Sequence, residues 1–323
     1  MGRKKNKKGD NSGFIKALNE RKTHIVHLTH NDLDAAGCDS VHRIKYGNIF
    51  TIWSSVGKFT MNLSTVCKNS GKGDILSISD LGYQEGVIAA LKNAKKNDWK
   101  VEWRDHHRWT DEEIANVKEI VDYLCVDTEV CATGIVSRDL MPEDKWSKEI
   151  ARVVCDYDLW KHKDPNSKIL GEVSTKRKNL DLVRDCLEKG SITNDEILKI
   201  YQEISEEKND AIKRSIKNTK ILSGKYNIAF APLYGYPSET AHAIRDKMNT
   251  DIEVIISDTG KFSIRSVPPI SHIIAKSFNG GGHPPAAGGT FNFSFTDKVS
   301  FFILKKNRHF QELFEVAEKI NNE

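Results

Sequence analysis

Little in this chain of 323 residues points to a membrane, an export route or a cysteine-held scaffold. No apolar run approaches the roughly 20 residues a spanning helix needs, and no apolar segment stands behind the polar N-terminus as a secretory signal would. The six cysteines (Cys38, Cys67, Cys125, Cys131, Cys155 and Cys186) are scattered, with no C-x-x-C pair. That spacing argues against zinc ribbons and against a disulfide frame. It fits a reducing cytoplasm in which thiols fill core positions. Basic and acidic residues nearly balance, 49 against 45, leaving a mild net charge of +4.

What is present is the composition of an ordinary soluble protein, 38% hydrophobic and 29% charged, long enough for about two domains at roughly 150 residues each. Much of the basic surplus gathers in the opening tail, residues 1–22, where Arg3, Lys4, Lys5, Lys7 and Lys8 crowd together. This reads as a flexible solubilising segment, with non-specific attraction to phosphate backbones as the alternative. Beyond it, apolar β-branched runs alternate with amphipathic stretches. Strands are expected over 24–28, 48–53, 74–81, 100–104 and 120–125, and helices over 38–46, 84–97, 128–140 and 146–160; the polar segment 54–72 is ambiguous. Such alternation implies a parallel sheet covered on both faces.

A polar amphipathic stretch, 194–221, reads as a solvated connector helix with no sustained heptad. After it come a strand at 226–231, a helix at 238–248 and a hairpin of 252–257 with 261–266 that turns on Asp258-Thr259-Gly260. A helix at 271–278, a glycine-rich run, a strand at 290–294 and a helix at 307–320 close the chain. All six tryptophans lie in the first part, so the two parts are not repeats. The expected class is α/β: an N-terminal parallel-sheet domain over 23–190, a connector helix within 191–222, and a smaller mixed-sheet α/β domain over 223–323.

Chemistry concentrates where strands end. His30, Asp32 and Asp34 follow the first strand. In extended chain alternate side chains share a side, so an imidazole and two carboxylates would face one way, a costly burial unless a cation neutralises them. The plain alternative is an acidic turn, with Asp34 or Asp39 capping a helix. Asp80 ends the third strand, Asp105-His106-His107 ends the fourth, and Asp156 lies in the helical run Cys155-Asp156-Tyr157-Asp158. Singly these read as a turn residue, a solvated histidine pair and a surface charge. Together they would meet at the strand C-termini, the edge at which open α/β sheets bind ligands, and a pair of divalent cations would compensate their charge.

The order H-x-D-x-D, a lone Asp, D-H-H, a helical Asp and finally Gly280-Gly281-Gly282-His283-Pro284 resembles the DHH phosphoesterase superfamily with its DHH-associated C-terminal domain. That group includes RecJ-like exonucleases, bacterial nanoRNases and phosphatases of 3′-phosphoadenosine 5′-phosphate. The resemblance runs from about Thr23 to Lys319 and departs from the common pattern at Asp34-Ala35-Ala36-Gly37, where many members have glycine directly after the last aspartate. It implies two divalent cations, usually Mn²⁺. His30 and Asp32 would hold one, Asp34, His106 and Asp156 the other, and Asp80 would bridge them; such a pair clamps the attacking and leaving oxygens of an in-line phosphoryl displacement. Asp105 would orient an imidazole by accepting its second N–H, and His107 would bind phosphate or serve the leaving group.

In the second domain the three glycines suggest an anion nest of backbone N–H groups, joined by His283. Arg265, with Ser266 beside it, offers a forked cation for phosphate or a base edge. The plain reading is a glycine-rich connection and a surface arginine. With the metal set alongside, Arg265, Ser266, Gly280, Gly281, Gly282 and His283 are expected to grip the substrate, with cleavage between the domains.

The expected activity is a metal-dependent exonuclease or nanoRNase releasing nucleoside 5′-monophosphates from short single-stranded oligonucleotides. One alternative is a phosphatase of 3′-phosphoadenosine 5′-phosphate or a phosphodiesterase of linear or cyclic dinucleotides. Another is a non-catalytic nucleic-acid-binding module, against which stands a competent residue at every ligand position. Members of the family are often dimeric, so the resemblance extends to a homodimer.

Overall fold

The computed structural model describes residues 12–304 and 307–320; the basic run at 3–8 lies outside them. The chain divides into two compact units, Met1–Gln202 and Glu203–Glu323. Among the described residues no helix is long and apolar enough to cross a membrane.

The first unit opens with α1 (Ser12–Asn19), β1 (Ile25–Thr29), α2 (Leu33–Tyr46), β2 (Phe50–Trp53), α3 (Phe59–Cys67), β3 (Ile75–Ser79) and α4 (Val87–Lys96). It continues with β4 (Lys100–Asp105), α5 (Asp111–Lys118), β5 (Tyr123–Val126), α6 (Ala132–Leu140), α7 (Lys145–Asp158), α8 (Pro165–Ser174) and α9 (Leu180–Glu188). Helix α10 (Asp195–Lys217) contains the division between the units.

The five strands of this unit form one sheet in the order β2-β1-β3-β4-β5, every pairing parallel. Register places Thr29 beside both Trp53 and Ser79, and Ser79 beside Arg104. The residues that follow these, His30, Asp80 and Asp105, therefore emerge along one edge. Strand order reverses between β1 and β3, the switch point at which such sheets open a crevice.

One face of the sheet is apolar, where Val26, Leu28, Leu76, Ile78 and Trp103 pack on Phe59, Leu63 and Leu91. The face towards α2 is polar. His27 pairs through Nδ1 with Asp39 at 2.6 Å and through Nε2 with Ser79 Oγ at 2.7 Å, and His42 stacks on His27 with centroids 4.1 Å apart. Burial would raise the Asp39 carboxyl, but the bond from His27 and the ion pair with Arg43 bring it down to about 2. A buried layer so fully paired holds β1, β3 and α2 in one arrangement.

Four expectations for this unit are corrected. The described part of the segment 1–22, expected to be flexible, holds α1, whose Leu18 lies in the core, and Arg21, which pairs with Asp74 at 2.6 Å. The helix expected from 38 begins at Leu33, because Asp32 is its N-cap and accepts the Ala35 N–H at 3.1 Å. The ambiguous segment 54–72 contains α3, and the structure adds α5, α8 and α9, which apolar periodicity does not announce. Cys131 and Cys155 are not free core thiols but form a disulfide; it ties the residue before α6 to the later turns of α7. The remaining four cysteines are unpaired thiols.

The second unit adds β6 (Lys220–Ser223), β7 (Asn227–Pro232), α11 (Pro237–Met248), β8 (Ile252–Ile256), β9 (Lys261–Ser266) and α12 (Ser271–Lys276). Then come β10 (Gly281–His283), β11 (Ala286–Thr290), α13 (Phe295–Val299) and α14 (Arg308–Lys319). Its sheet runs β10-β11-β9-β8-β7-β6. Among the described strands only β7 and β8 of this sheet pair in parallel, with α11 as the crossover. Phe230, Val254, Phe262, Ile264, Phe291 and Phe310 fill its core. The strand expected over 290–294 lies earlier, at 286–290, because Gly288 and Gly289 themselves pair with β9. A Cβ on Gly289 would stand 2.6 Å from the Phe262 ring, so the close approach requires glycine.

Candidate active site

His30 leaves the end of β1 and places Nδ1 2.6 Å from Asp32 Oδ2 and 3.7 Å from Asp80 Oδ2. Asp32 is held below the usual carboxylate range, since the bond and charge of His30 and the Ala35 N–H outweigh its burial. Asp34 sits in the first turn of α2 and is 1% exposed. Its carboxylate accepts the N–H groups of Ala132 at 2.7 Å and Thr133 at 2.8 Å, the first two of α6, where unpaired N–H groups favour an anion. Thus His30, Asp32 and Asp34 do converge, through a strand-to-helix turn and not through the alternation of an extended chain. Gly37 permits it: a Cβ there would lie 2.4 Å from Thr133 Oγ1.

Asp80 adopts φ +56 immediately after β3, a left-handed conformation that aspartate tolerates better than most residues. That turn aims one oxygen at His30 and the other, Oδ1, at His106 Nε2, 3.3 Å away. His106 also lies 3.8 Å from Asp34 Oδ2 and, through Nδ1, 3.6 Å from Asp158 Oδ2. Behind this group, buried Asp105 accepts from His107 Nδ1 at 2.8 Å and from Trp109 Nε1 at 2.7 Å. The bond to Asp105 raises the His107 imidazole above its ordinary value, and the side chain is about half exposed.

Asp156 does not join the cluster. Its carboxylate accepts the N–H groups of Lys163 and Asp164 at 3.0 Å and Ser167 Oγ at 2.6 Å. Those bonds, the serine hydroxyl's first, hold it down at about 2. Asp158, one helical half-turn on, takes the place expected of it. Nothing in the spacing could choose between them, because both flank the buried stripe of Ile150, Val153 and Val154.

The residues fit divalent cations. Oδ2 of Asp80 and Oδ2 of Asp158 are buried and accept no hydrogen bond among the described residues, an arrangement that costs free energy unless something else satisfies them. Three sets offer ligand atoms within 4.8 Å of one another: His30, Asp32 and Asp80; Asp34, His106 and Asp158; Asp80, His106 and His107. Oxygen and imidazole together suit Mn²⁺ and its neighbours. Burial and the charges of Asp32 and Asp34 push Asp80 well up, and burial with the charge of Asp158 pushes Asp34 up to about 8.

Asp34 and Asp80 have folded-state values above the ordinary 3.8, so the stability they contribute is complete below about pH 4 and is lost as pH rises, for Asp34 through about 8. Chelator-treated protein is therefore expected to melt at a lower temperature near pH 8 than near pH 5, with added Mn²⁺ closing most of that gap. Thermal melts across that range check this; a chelated melting temperature that rises with pH contradicts it.

In the second unit Arg265 lies on the β9 face shared by Lys261 and Ser263, half-buried, with one guanidinium nitrogen on Ser238 Oγ at 2.8 Å. Ser266 points the other way. It is buried, and its hydroxyl bonds Ser271 Oγ at 2.7 Å and the Pro268 carbonyl at 2.6 Å, so it is a packing residue and not a substrate contact. In the glycine run the Gly280 N–H donates to the Ala275 carbonyl at 2.9 Å, and Gly281, Gly282 and His283 form an exposed edge strand paired with β11. A Cβ on Gly280 would fall 1.9 Å from the Gly288 carbonyl oxygen, so close backbone approach accounts for glycine there. His283 is exposed at the end of that strand.

No family model and no curated protein matches the chain; solved structures do. The pGpG-specific phosphodiesterase PggH of Vibrio cholerae is 11% identical, with 92% of this chain and all of that one covered, at a TM-score of 0.56. The DHH domain of a member of a family of ribosomal proteins is 16% identical over 95% of this chain and 88% of its own, at 0.49. RecJ of Thermus thermophilus in complex with Mn²⁺ is 13% identical over 96% of this chain and 54% of its own, at 0.44. The likeness to PggH is one of fold: over 92% of its length the chain shares the α/β fold of that protein.

Proposed function

We propose that this chain is a metal-dependent phosphodiesterase that releases nucleoside 5′-monophosphates from short single-stranded oligonucleotides. The observation that carries the reading is the convergence of Asp32, Asp34, Asp80 and Asp158 with His30 and His106 at the switch point of a parallel sheet, two of the carboxylate oxygens being buried and unsatisfied. Two divalent cations, Mn²⁺ by the family resemblance, would be held by His30, Asp32 and Asp80 and by Asp34, His106 and Asp158, and would supply charge neutralisation and an acidified water.

The chain's own groups do the rest. Asp80 reaches towards both sets and holds them in fixed register. Asp105 fixes the His107 ring through Nδ1 and keeps a proton on it, so that Nε2 is free to donate to a phosphate or leaving oxygen. In the second unit, taken by itself, Arg265 and the exposed His283 are groups suited to a phosphate.

A linear dinucleotide is the shortest substrate of this class, and the Vibrio protein of the same fold is named for one. The test is end-labelled RNA and DNA of two to ten nucleotides with Mn²⁺, product lengths followed in time, alongside cyclic dinucleotides and 3′-phosphoadenosine 5′-phosphate. Stepwise shortening to mononucleotides supports the proposal. Turnover of the bisphosphate with no shortening of any oligonucleotide replaces it with the phosphatase reading.

A further inference from the structure

The mechanism leaves one feature at the metal cluster without a task. Trp160 follows the C-terminus of α7 by two residues and is 82% exposed. Its backbone is left-handed, φ +55, and that of His162 is too, φ +48, where non-glycine residues persist only if their surroundings enforce it. The enforcement is visible: the Asp156 carbonyl accepts the Lys161 and His162 N–H groups at 2.9 and 3.1 Å, and its carboxylate accepts those of Lys163 and Asp164. The residue displaced from the metal set is thus the anchor of this turn.

The indole it presents is not placed at random. Trp160 lines one open cleft, of about 90 Å³, with Asp32, Leu33, Asp34, Tyr157 and Asp158. A phosphoryl group held by cations at those carboxylates would leave its nucleoside outside a space of that size, on the side where the indole stands. His162 stands edge-on to the indole at 5.1 Å and braces it. The flanking Lys161 and Lys163 are both exposed, so the aromatic is set among cationic side chains, as a surface for a stacked base on a charged backbone requires.

We propose that Trp160, held out by the Asp156-anchored turn, is the stacking platform for the nucleobase next to the scissile phosphate. This rests on the oligonucleotide reading above. It makes base recognition a function of the metal-bearing unit itself, with preference for a π-face and little for base identity.

The test compares Trp160→Ala and Trp160→Phe on a dinucleotide and on an analogue whose terminal ribose lacks its base. For the dinucleotide, Trp160→Ala is expected to raise KM about tenfold with little change in kcat, and Trp160→Phe to recover most of the loss. On the abasic analogue the penalty should largely vanish. A second measurement is independent of turnover: in the presence of Mg²⁺, 5′-AMP should quench part of the tryptophan emission, ribose 5-phosphate should not, and the quench should be missing from Trp160→Ala. An equal penalty with and without the base, a fall in kcat alone, or conversion of a dimer to a monomer by Trp160→Ala with no base-dependent effect would each overturn the platform. Should the wild type cleave no oligonucleotide, it is the functional reading that fails, and the 5′-AMP titration still decides the platform by itself.

Discussion

Asp80→Asn is expected to abolish turnover, by on the order of 10³-fold or more, while leaving the fold intact. Asparagine matches aspartate in size and is the other side chain that accepts a left-handed backbone, so the φ of +56 at this position is preserved. What changes is charge. Asp80 is 3% exposed and lies within ion-pairing distance of both His30 and His106, so its carboxylate belongs to two of the ligand sets at once. The variant should also show a smaller Mn²⁺-induced rise in melting temperature. Without metal, near pH 8, it should melt higher than the wild type, because the burial of an ionisable carboxyl and its repulsion by Asp32 and Asp34, which together raise Asp80, are removed. Steady-state rates with Mn²⁺ and paired thermal melts measure both effects. An unchanged rate would remove Asp80 from the centre of the site.

The second large effect separates two aspartates two residues apart. Asp158→Asn is expected to cost one of the two cations and to lower turnover by a similar order, because its Oδ2 is unsatisfied and 3.6 Å from His106 Nδ1. Asp156→Asn should keep the full metal complement. Its carboxylate accepts two backbone N–H groups and the Ser167 hydroxyl, a job that an amide with a single acceptor oxygen does poorly. It should therefore melt lower and show a raised KM, as loosening of the turn that carries Trp160 would cause. Metal content by elemental analysis, beside kcat and KM, distinguishes the two. The opposite pattern, metal lost from the Asp156 variant and retained by the Asp158 variant, would falsify the assignment.

The strands were legible because burial on both sides leaves a simple mark. Runs such as Ile25-Val26-His27-Leu28 and Ile75-Leu76-Ser77-Ile78 have few other ways to pack. Helix α5 escapes the apolar pattern although its signal is local: Thr110 and Glu113 form a capping box of the S/T-x-x-E kind. The glycine run is less legible. Glycine is equally suited to an anion nest and to backbones in contact, and the position of the Gly288 carbonyl accounts for glycine at Gly280 but not at Gly281. The Cys131–Cys155 disulfide follows from how α6 and α7 pack, which no spacing of cysteines encodes.

By itself the amino-acid sequence determined which chemical groups stand at the strand ends and that carboxylates and imidazoles outnumber what an unfilled pocket would hold. Those are matters of residue type and of short-range periodicity. Only the tertiary structure decided which of Asp156 and Asp158 faces the cluster, that Asp34 rests on the N-terminus of α6, and that Ser266 turns into the core. Each of these depends on a rotation of about 100° per helical residue or 180° per strand residue relative to a partner distant in the chain, and that phase is set by packing.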